Sequence, residues 1–177
     1  MKEEYAIVLD FLPYGYATSF KKEPVVQAIG ENTFALLELI AKPGVSISLR
    51  EKVYIGPEFR EKIKYVKRRL NYNSLTATAK NELPEVIKEL VQQNEKKFVE
   101  FFNKAGPVTV RLHSLELLPN IGKKHMWAII EEREKKPFES FKDITERIPL
   151  MPDPVKIITQ RILEELQGNT KYRLFVK

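Results

Sequence analysis

One stretch decides how the last third of the chain folds: Leu117-Leu118-Pro119-Asn120-Ile121-Gly122-Lys123-Lys124-His125-Met126-Trp127-Ala128-Ile129-Ile130. Its pattern predicts a short helix, then a tight turn, then a second helix that begins at once. Asn120 and Gly122 suit such a turn because asparagine and glycine tolerate positive φ angles that other residues avoid. The apolar residues around the turn would bury against the first helix. We therefore expect a rigid helical hairpin.

The tip of this hairpin is a candidate site for anions. The free N–H groups and the positive dipole end of the second helix would face outward, and such an end favours a phosphate oxygen. Lys123 and Lys124 add positive charge at the same place. The candidate nucleic-acid-binding residues of the tip are Asn120, Ile121, Gly122, Lys123, Lys124 and His125.

The stretch resembles the helix-hairpin-helix motif of DNA- and RNA-associated proteins, in which Pro-Gly-Ile-Gly stands between an apolar residue and an apolar helix. It departs from that motif at Asn120, where glycine is usual, and at Met126, where a small residue is usual. The resemblance implies a phosphate contact, although such units also serve as protein-binding or purely structural elements. A second copy over 148–158 has the same outline without any glycine in its turn, so we interpret it as a structural pseudo-repeat.

The first seventy or so residues have the pattern of short strands broken by turns. Proline and glycine recur at short intervals, and β-rich runs with period-two alternation lie between them. We predict five strands, over 5–9, 25–29, 33–40, 52–55 and 63–70. Such a set fits a small closed barrel, and we predict an OB-like β-barrel domain at residues 1–80.

The rest of the chain is mainly helical in pattern, so the predicted fold class is α+β. A helical period over 81–106 predicts one long connecting helix capped by Asn81. Residues 107–177 then form the predicted helix-hairpin-helix domain, with helices over 112–118, 123–134, 141–148 and 154–166. The β-type composition of 172–176 predicts a final strand that returns to the barrel.

The net charge of +6 is concentrated in two parts of the chain. Residues 61–80 carry six basic residues against one acidic residue, and 107–177 carry thirteen against ten. Clustered positive charge attracts polyanions, most often nucleic acid. The candidate binding residues of the first cluster are Lys64, Lys67, Arg68 and Arg69.

The side on which each of these cations lies depends on the strand register. In a regular strand Lys64 and Arg68 point to one side, and Lys67 and Arg69 point to the other. A barrel face with cations and aromatic rings can bind a single strand of nucleic acid. The alternative is that Tyr65 belongs to the core and the lysines are simply solvated. The pattern does not decide between these two interpretations.

The composition argues against several classes of protein. The sequence has no cysteine and two histidines, so disulfides, thiolate metal sites and His-based triads lack candidates. Its three aspartates are scattered, and it contains no glycine-rich phosphate loop. We therefore expect a non-enzyme with no cofactor and no metal. Since there is no long apolar run and no visible signal peptide, we also expect a soluble, cytoplasmic protein without membrane contact.

Over nearly its full length the chain resembles an archaeal family catalogued as domain of unknown function 655. The residues that carry this resemblance are 5–13, 75–84 and 117–133. It implies an N-terminal OB-like barrel and a C-terminal helix-hairpin-helix region.

These features favour a non-catalytic nucleic-acid-binding protein that uses the hairpin tip and a basic barrel face. RNA or another structured nucleic acid is expected rather than a specific DNA site. The alternative is a protein–protein adaptor in the translation or transcription machinery, with a ribosomal or transcription protein as its partner. Steep salt dependence of nucleic-acid binding would separate the two hypotheses, because phosphate contacts release counterions.

Overall fold

Five strands form one antiparallel sheet in the order β4-β1-β2-β3-β5. The computed structural model describes residues 2–177. Its first five strands, β1 to β5, are Tyr5–Leu12, Val25–Gly30, Leu36–Ala41, Lys52–Tyr54 and Ile63–Arg69. They lie where the period-two runs predict them, and the α+β class is confirmed. The sheet is a curled half-barrel rather than the closed barrel we expected, since the edge strands β4 and β5 do not pair within the described residues.

The two faces of this sheet differ in chemistry because side chains alternate along each strand. The inner face carries a hydrophobic cluster made of Ala6, Val8, Val26, Ala28, Leu39, Ala41, Ile47, Val53, Ile55 and Ile63. The opposite face carries Gln27 and Glu38, which are both fully buried. Fully buried polar side chains need hydrogen-bond partners, so this face requires a specific covering layer.

Two helices replace the single connecting helix predicted at 81–106: α1 (Ala77–Gln93) and α2 (Glu95–Lys104). The first begins earlier than predicted because Thr76, not Asn81, caps it; the Thr76 hydroxyl accepts the Ala79 N–H at 3.1 Å. The break falls at Asn94, whose side-chain amide donates to the Leu90 carbonyl at 2.8 Å. Asparagine competes for backbone groups in this way, which weakens a helix.

Three helices follow close to their predicted positions: α3 (Lys123–Lys135), α4 (Phe141–Arg147) and α5 (Pro154–Leu166). The helix predicted at 112–118 is wrong. Its residues form the strand β7 (Leu112–His113), which pairs with β6 (Pro107–Thr109), and a 3-10 helix at Ser114–Leu117. The element before the hairpin turn is therefore shorter and tighter than an α-helix.

The strand predicted at 172–176 is also wrong, since these residues lie outside any strand. They are held by a side chain instead. The carboxylate of Glu165 accepts the N–H groups of Leu174, Phe175 and Val176 at 2.9, 3.1 and 3.0 Å. A carboxylate offers several acceptor positions, so one glutamate can replace part of a strand ladder.

By its internal contacts the chain divides into two units, Met1–Val86 with Glu164–Lys177, and Ile87–Leu163. The divisions fall inside α1 and inside α5 rather than at the ends of a connecting helix. Each unit has its own buried apolar residues. Those of the second unit include Phe98, Phe102, Leu115, Leu118, Ile121, Met126, Ile129, Phe141, Ile144, Ile148 and Ile158.

Candidate nucleic-acid interface

Four polar residues lie in register across four strands of the first unit. Asp10 on β1 is paired with Gln27 on β2, Gln27 with Glu38 on β3, and Glu38 with Arg68 on β5. Because directly paired residues project from the same face, these side chains form one line, which we call the polar row. Gln27 and Glu38, on the central strands, are fully buried, whereas the side chain of Arg68 on the edge strand is 60% exposed.

Two residues from outside the sheet bind the polar row. The Tyr16 hydroxyl, in the loop between β1 and β2, donates to Glu38 Oε1 and accepts from Gln27 Nε2 at 3.1 Å. Thr76 donates its N–H to Gln27 Oε1 at 2.9 Å and its hydroxyl to Asp10 Oδ2 at 2.6 Å. Burial and the hydrogen bond to Glu38 raise the pKa of Tyr16, so the phenol stays protonated at neutral pH. These bonds fix the loop and the start of α1 on the sheet.

Two cations face the buried carboxylate of Glu38. Arg68 Nε lies 3.1 Å from Glu38 Oε2, Arg68 Nη2 donates to Oε1 at 3.2 Å, and Lys67 Nζ is 4.0 Å from Oε2. The hydrogen bond to Glu38 and the charge of that carboxylate raise the pKa of Arg68. One anion with two cations leaves an excess of positive charge, and both basic side chains reach solvent.

A β-bulge explains why two neighbouring residues reach one carboxylate. Glu38 is paired with Arg68 and Leu39 with Val66, so Lys67 is an extra residue in β5. An extra residue interrupts the alternation of side chains. The expectation that Lys67 and Arg68 point to opposite sides is therefore wrong. Arg69 is separate from them, because its backbone pairs with Leu37, whose side chain packs on the inner-face cluster.

Exposed aromatic and basic side chains accompany these cations. In the loop between β1 and β2, Phe20 is fully exposed and Tyr14 is 82% exposed. The loop also reaches β5 near Tyr65, whose hydroxyl donates to Glu23 Oε2 at 3.3 Å. We group the exposed aromatic and basic side chains of this loop with those of β5 under the name β5 surface; its members are Tyr14, Phe20, Lys21, Lys22, Lys64, Lys67 and Arg68. Nothing in the sequence pattern singles out Tyr14 and Phe20, because an isolated aromatic residue in a loop carries no periodic signal.

In the second unit, the hairpin turn has one of the two predicted backbone features. The Ile121 N–H donates to the Leu118 carbonyl at 3.2 Å, and Asn120 has the positive φ of 62° that we predicted. Gly122 does not adopt a positive φ. Its φ is −99°, and it is the N-cap of α3 in an extended conformation. Leu118 and Ile121 are buried, which anchors the turn from both sides.

The turn before α5 repeats this geometry. The Met151 N–H donates to the Ile148 carbonyl at 3.3 Å, and Leu150 has a positive φ of 56°. Each turn has proline at its second position and the left-handed residue at its third, which is the pattern of a type II turn. His125 Nε2 lies 3.1 Å from the Leu150 carbonyl and joins the two turns. The two turns thus form one paired unit.

We expect Asn120→Val to lower the free energy of unfolding by about 2 kcal/mol, because a β-branched residue is strained in the left-handed region. Gly122→Ser should cause no loss, since a Cβ there meets nothing within 4 Å and serine is a preferred N-cap. Urea denaturation of both variants checks this. Equal losses at the two positions would contradict the assignment of the left-handed residue.

The structure also distinguishes the two hairpin lysines. Lys123 Nζ is 2.9 Å from Glu116 Oε1, and the hydrogen bond lowers the pKa of the Glu116 carboxyl. Lys124, in the first turn of α3, is exposed. Trp127, one turn further along, is 62% exposed, although the helical pattern of the sequence gives no sign that it faces solvent. Lys124 is therefore the lysine more available to a phosphate.

His113 holds the base of the hairpin turn through its neutral ring. The ring Nδ1 accepts the Leu115 N–H at 3.1 Å, while the backbone N–H of His113 donates to Glu116 Oε1 at 3.2 Å. Burial, together with the charges of Arg133 and Lys123, lowers the pKa of His113. The stabilisation is therefore complete above the unfolded-state pKa of about 6.5 and is lost as pH falls through the lower folded-state pKa.

Stability measured by urea denaturation should fall between pH 7.5 and pH 5 in the natural sequence, and less so in His113→Asn. Asparagine can accept the same N–H but does not titrate in this range. His125→Asn is the matched control for the other histidine. An identical pH dependence in the natural sequence and in His113→Asn would show that His113 is not the titrating group.

Comparison with known proteins supplies a family. The protein-family model described as "Protein of unknown function (DUF655)" matches residues 2–177. The chain belongs to this family. A relative, the uncharacterised protein MJ0038 of Methanocaldococcus jannaschii, is 55% identical over 177 residues, which are 99% of this chain and 80% of that protein. A similar solved DUF655 structure is the crystal structure of Af1531 from Archaeoglobus fulgidus, at 48% identity and a TM-score of 0.89, covering 99% of this chain and 100% of that one.

The residues that we predicted to bind nucleic acid fall into three groups. Lys64, Lys67 and Arg68 belong to the β5 surface, whereas Arg69 does not. The tip residues 120–125 come together at the start of α3. Among residues 2–177, no group of three or more histidine or acidic side chains could hold a metal ion. In the same range no helix is long and apolar enough to cross a membrane.

Proposed function

We propose that this chain is a non-catalytic nucleic-acid-binding protein whose ligand is single-stranded or structured RNA. The observation that carries the proposal is the β5 surface, where the bulge at Lys67 places two cations over one buried carboxylate. Exposed Phe20 and Tyr14 add rings on which bases can stack. Cations for phosphates and rings for bases are the two elements of single-strand binding, and unpaired bases are what most RNA-binding proteins recognise.

The loops of the half-barrel and the paired turns of the second unit also favour this proposal. OB-folds bind oligonucleotides on the face of their second and third strands and on the loops β1–β2 and β4–β5. Here the β1–β2 loop carries Tyr14 and Phe20, and the β4–β5 loop carries Phe59, which is 83% exposed. We propose that the half-barrel is OB-like in use, and that the paired turns of the second unit act as a helix-hairpin-helix unit with Lys124 beside the phosphate.

Filter binding across salt concentrations tests the β5 surface. The double substitution Lys64→Ala and Lys67→Ala should weaken binding to single-stranded RNA and make its log–log salt slope shallower by about 1.4, since each lost phosphate contact removes about 0.7 for a single strand. Lys88→Ala with Lys156→Ala is the matched control, because both are exposed and the net charge changes equally. Equal slopes in the two double variants would contradict the proposal.

The same titration separates the hairpin tip from the β5 surface. Lys124→Glu should weaken binding to structured RNA and duplex DNA alike, because a phosphate contact carries no sequence information. Lys123→Glu should also break the ion pair with Glu116 and lower stability, so its thermal melt must be recorded beside its affinity. Native affinity in Lys124→Glu would leave the tip as a structural element.

A protein–protein adaptor is the second candidate, favoured by exposed apolar side chains in the second unit. Trp127 is 62% exposed, Leu150 is 90% exposed and Val110 is fully exposed. Exposed apolar residues of this size are typical of protein-binding surfaces. Weak binding to every nucleic acid, without a steep salt dependence, would favour this function.

A further inference from the structure

An open cavity of about 570 Å³ lies in the first unit, and residues of the edge strand β5 and of the segment after the edge strand β4 line it. It is lined by Leu37 of β3, by Val66 and Arg69 of β5, and by Ile55, which follows β4. We call it the seam pocket, since β4 and β5 are the two edges of the open sheet. Its volume is within the range of small-molecule sites, which is roughly 300–1,000 Å³.

The floor of the seam pocket is apolar. Ala35 and Ile55 are almost fully buried there, at 7% and 5% exposure, and Val66 is 37% exposed. Val66 and Leu37 project from the inner face of the half-barrel, where closure by a β4–β5 pair would have covered them. An uncovered apolar floor favours a flat, weakly hydrated group such as a nucleobase.

The rim of the seam pocket is basic. Four cationic residues line it, Lys2, Arg60, Arg69 and Lys177, against the single acidic residue Glu3. The Glu3 carboxylate already accepts the N–H groups of Asn32 and Thr33. Arg60 is held in place by a hydrogen bond from its Nε to the Gly56 carbonyl at 2.7 Å. This excess of positive charge favours a ligand with a phosphate group over a ligand with a single carboxylate. An arginine side chain can also donate two hydrogen bonds at once to two oxygens of a phosphate.

We propose that the seam pocket binds one nucleotide, with the base on the apolar floor and the phosphate at Arg60 and Arg69. The nucleotide can be free or can be the phosphorylated end of a strand, because both present the same base and phosphate. This site lies apart from the β5 surface, on the opposite face of the sheet from Arg68. Its occupancy therefore does not depend on the function proposed above.

Isothermal titration of the full chain with AMP, adenosine and inorganic phosphate tests the site. AMP should bind more tightly than either of its halves. Arg69→Ala should weaken AMP binding about tenfold because it removes a phosphate contact. Val66→Asp should abolish binding, because the base would have to cover an unpaired carboxylate on the floor. Lys88→Ala, an exposed lysine on α1, removes the same charge as Arg69→Ala and is the control; it should leave AMP binding unchanged. Thermal melts of the variants establish that they are folded.

Binding of a short single-stranded oligonucleotide, measured with and without a 5′-phosphate, distinguishes a site for free nucleotides from a site for the phosphorylated ends of strands. A preference for the phosphorylated end that is lost in Arg69→Ala, with weak AMP binding, assigns the pocket to strand ends. Binding of AMP with native affinity in Arg69→Ala and Val66→Asp overturns the proposal. The proposal is also overturned if AMP does not bind and if neither Arg69→Ala nor Val66→Asp changes the affinity for the oligonucleotide. Loss of binding in Lys64→Ala with Lys67→Ala, but not in Arg69→Ala, would support the β5 surface alone.

Discussion

Deleting residues 169–177 should lower the free energy of unfolding by at least about 4 kcal/mol. Phe175 and Val176 are 8% and 3% exposed, and burial of side chains of this size contributes about 1.5–3 kcal/mol each. The deletion also removes three N–H donors from the Glu165 carboxylate, which is 2% exposed. A buried carboxylate that loses its donors costs a further 1–3 kcal/mol or so. Urea denaturation and thermal melting measure the loss.

Substitutions at Glu165 separate the two contributions. Glu165→Gln keeps one acceptor oxygen and places an amide beside the remaining N–H, so it should cost less than Glu165→Leu, which removes every acceptor. Phe175→Ala with Val176→Ala keeps the backbone bonds and measures burial alone. Arg173→Ala, an exposed neighbour, is the control. A native melting temperature after the deletion would mean that the segment contributes nothing to the fold.

The C-terminal segment illustrates which features the sequence can predict. The composition of 172–176 correctly indicated that these residues are not a free polar tail, since Phe175 and Val176 are buried. It did not indicate how they are held. The partner is a side chain on α5, and a glutamate within an amphipathic helix has the same local pattern whether it faces solvent or binds backbone N–H groups. Only the packing of the segment against α5 distinguishes the two.

The β5 surface shows a second limit, which arises from register. Period-two alternation located β5 close to Ile63–Arg69, but it placed Lys67 on the side opposite Arg68, whereas both side chains reach Glu38. A bulge inserts one residue without leaving a pattern in the strand that contains it, because its cause is the pairing with β3. The polar row is hidden for the same reason. Asp10, Gln27 and Glu38 are widely separated in sequence and become neighbours only when three strands pair.

The hairpin was more predictable because its signals are local. Asn120 adopts the predicted left-handed conformation, since the turn residues themselves determine it. The error at Gly122 arose from assigning the same freedom to both turn residues. In the structure one left-handed residue suffices, and the equivalent turn uses Leu150 for it. The absence of glycine from that second turn therefore does not weaken the repeat.

Replacing Gln27 with leucine should lower the free energy of unfolding by about 3 kcal/mol. Gln27 is fully buried, donates to the Tyr16 hydroxyl and to the Ser74 carbonyl at 3.1 Å each, and accepts the Thr76 N–H. Leucine leaves these partly buried groups without their partner, and each group that stays unsatisfied costs about 1–3 kcal/mol before relaxation. Gln92→Leu, at an exposed position, is the control and should be nearly neutral.

A double-mutant cycle shows whether the polar row acts as a network. Tyr16→Phe alone removes a donor to Glu38, and Gln27→Leu alone leaves the Tyr16 hydroxyl without one of its partners. In the double variant the Tyr16 hydroxyl is absent, so Gln27→Leu no longer leaves a hydroxyl without its partner and costs less than it does alone. The double variant should therefore lose at least about 0.5 kcal/mol less than the sum of the single variants. Strict additivity would mean that Tyr16 and Gln27 stabilise the sheet independently, and that the loop bearing Phe20 is not fixed through the row.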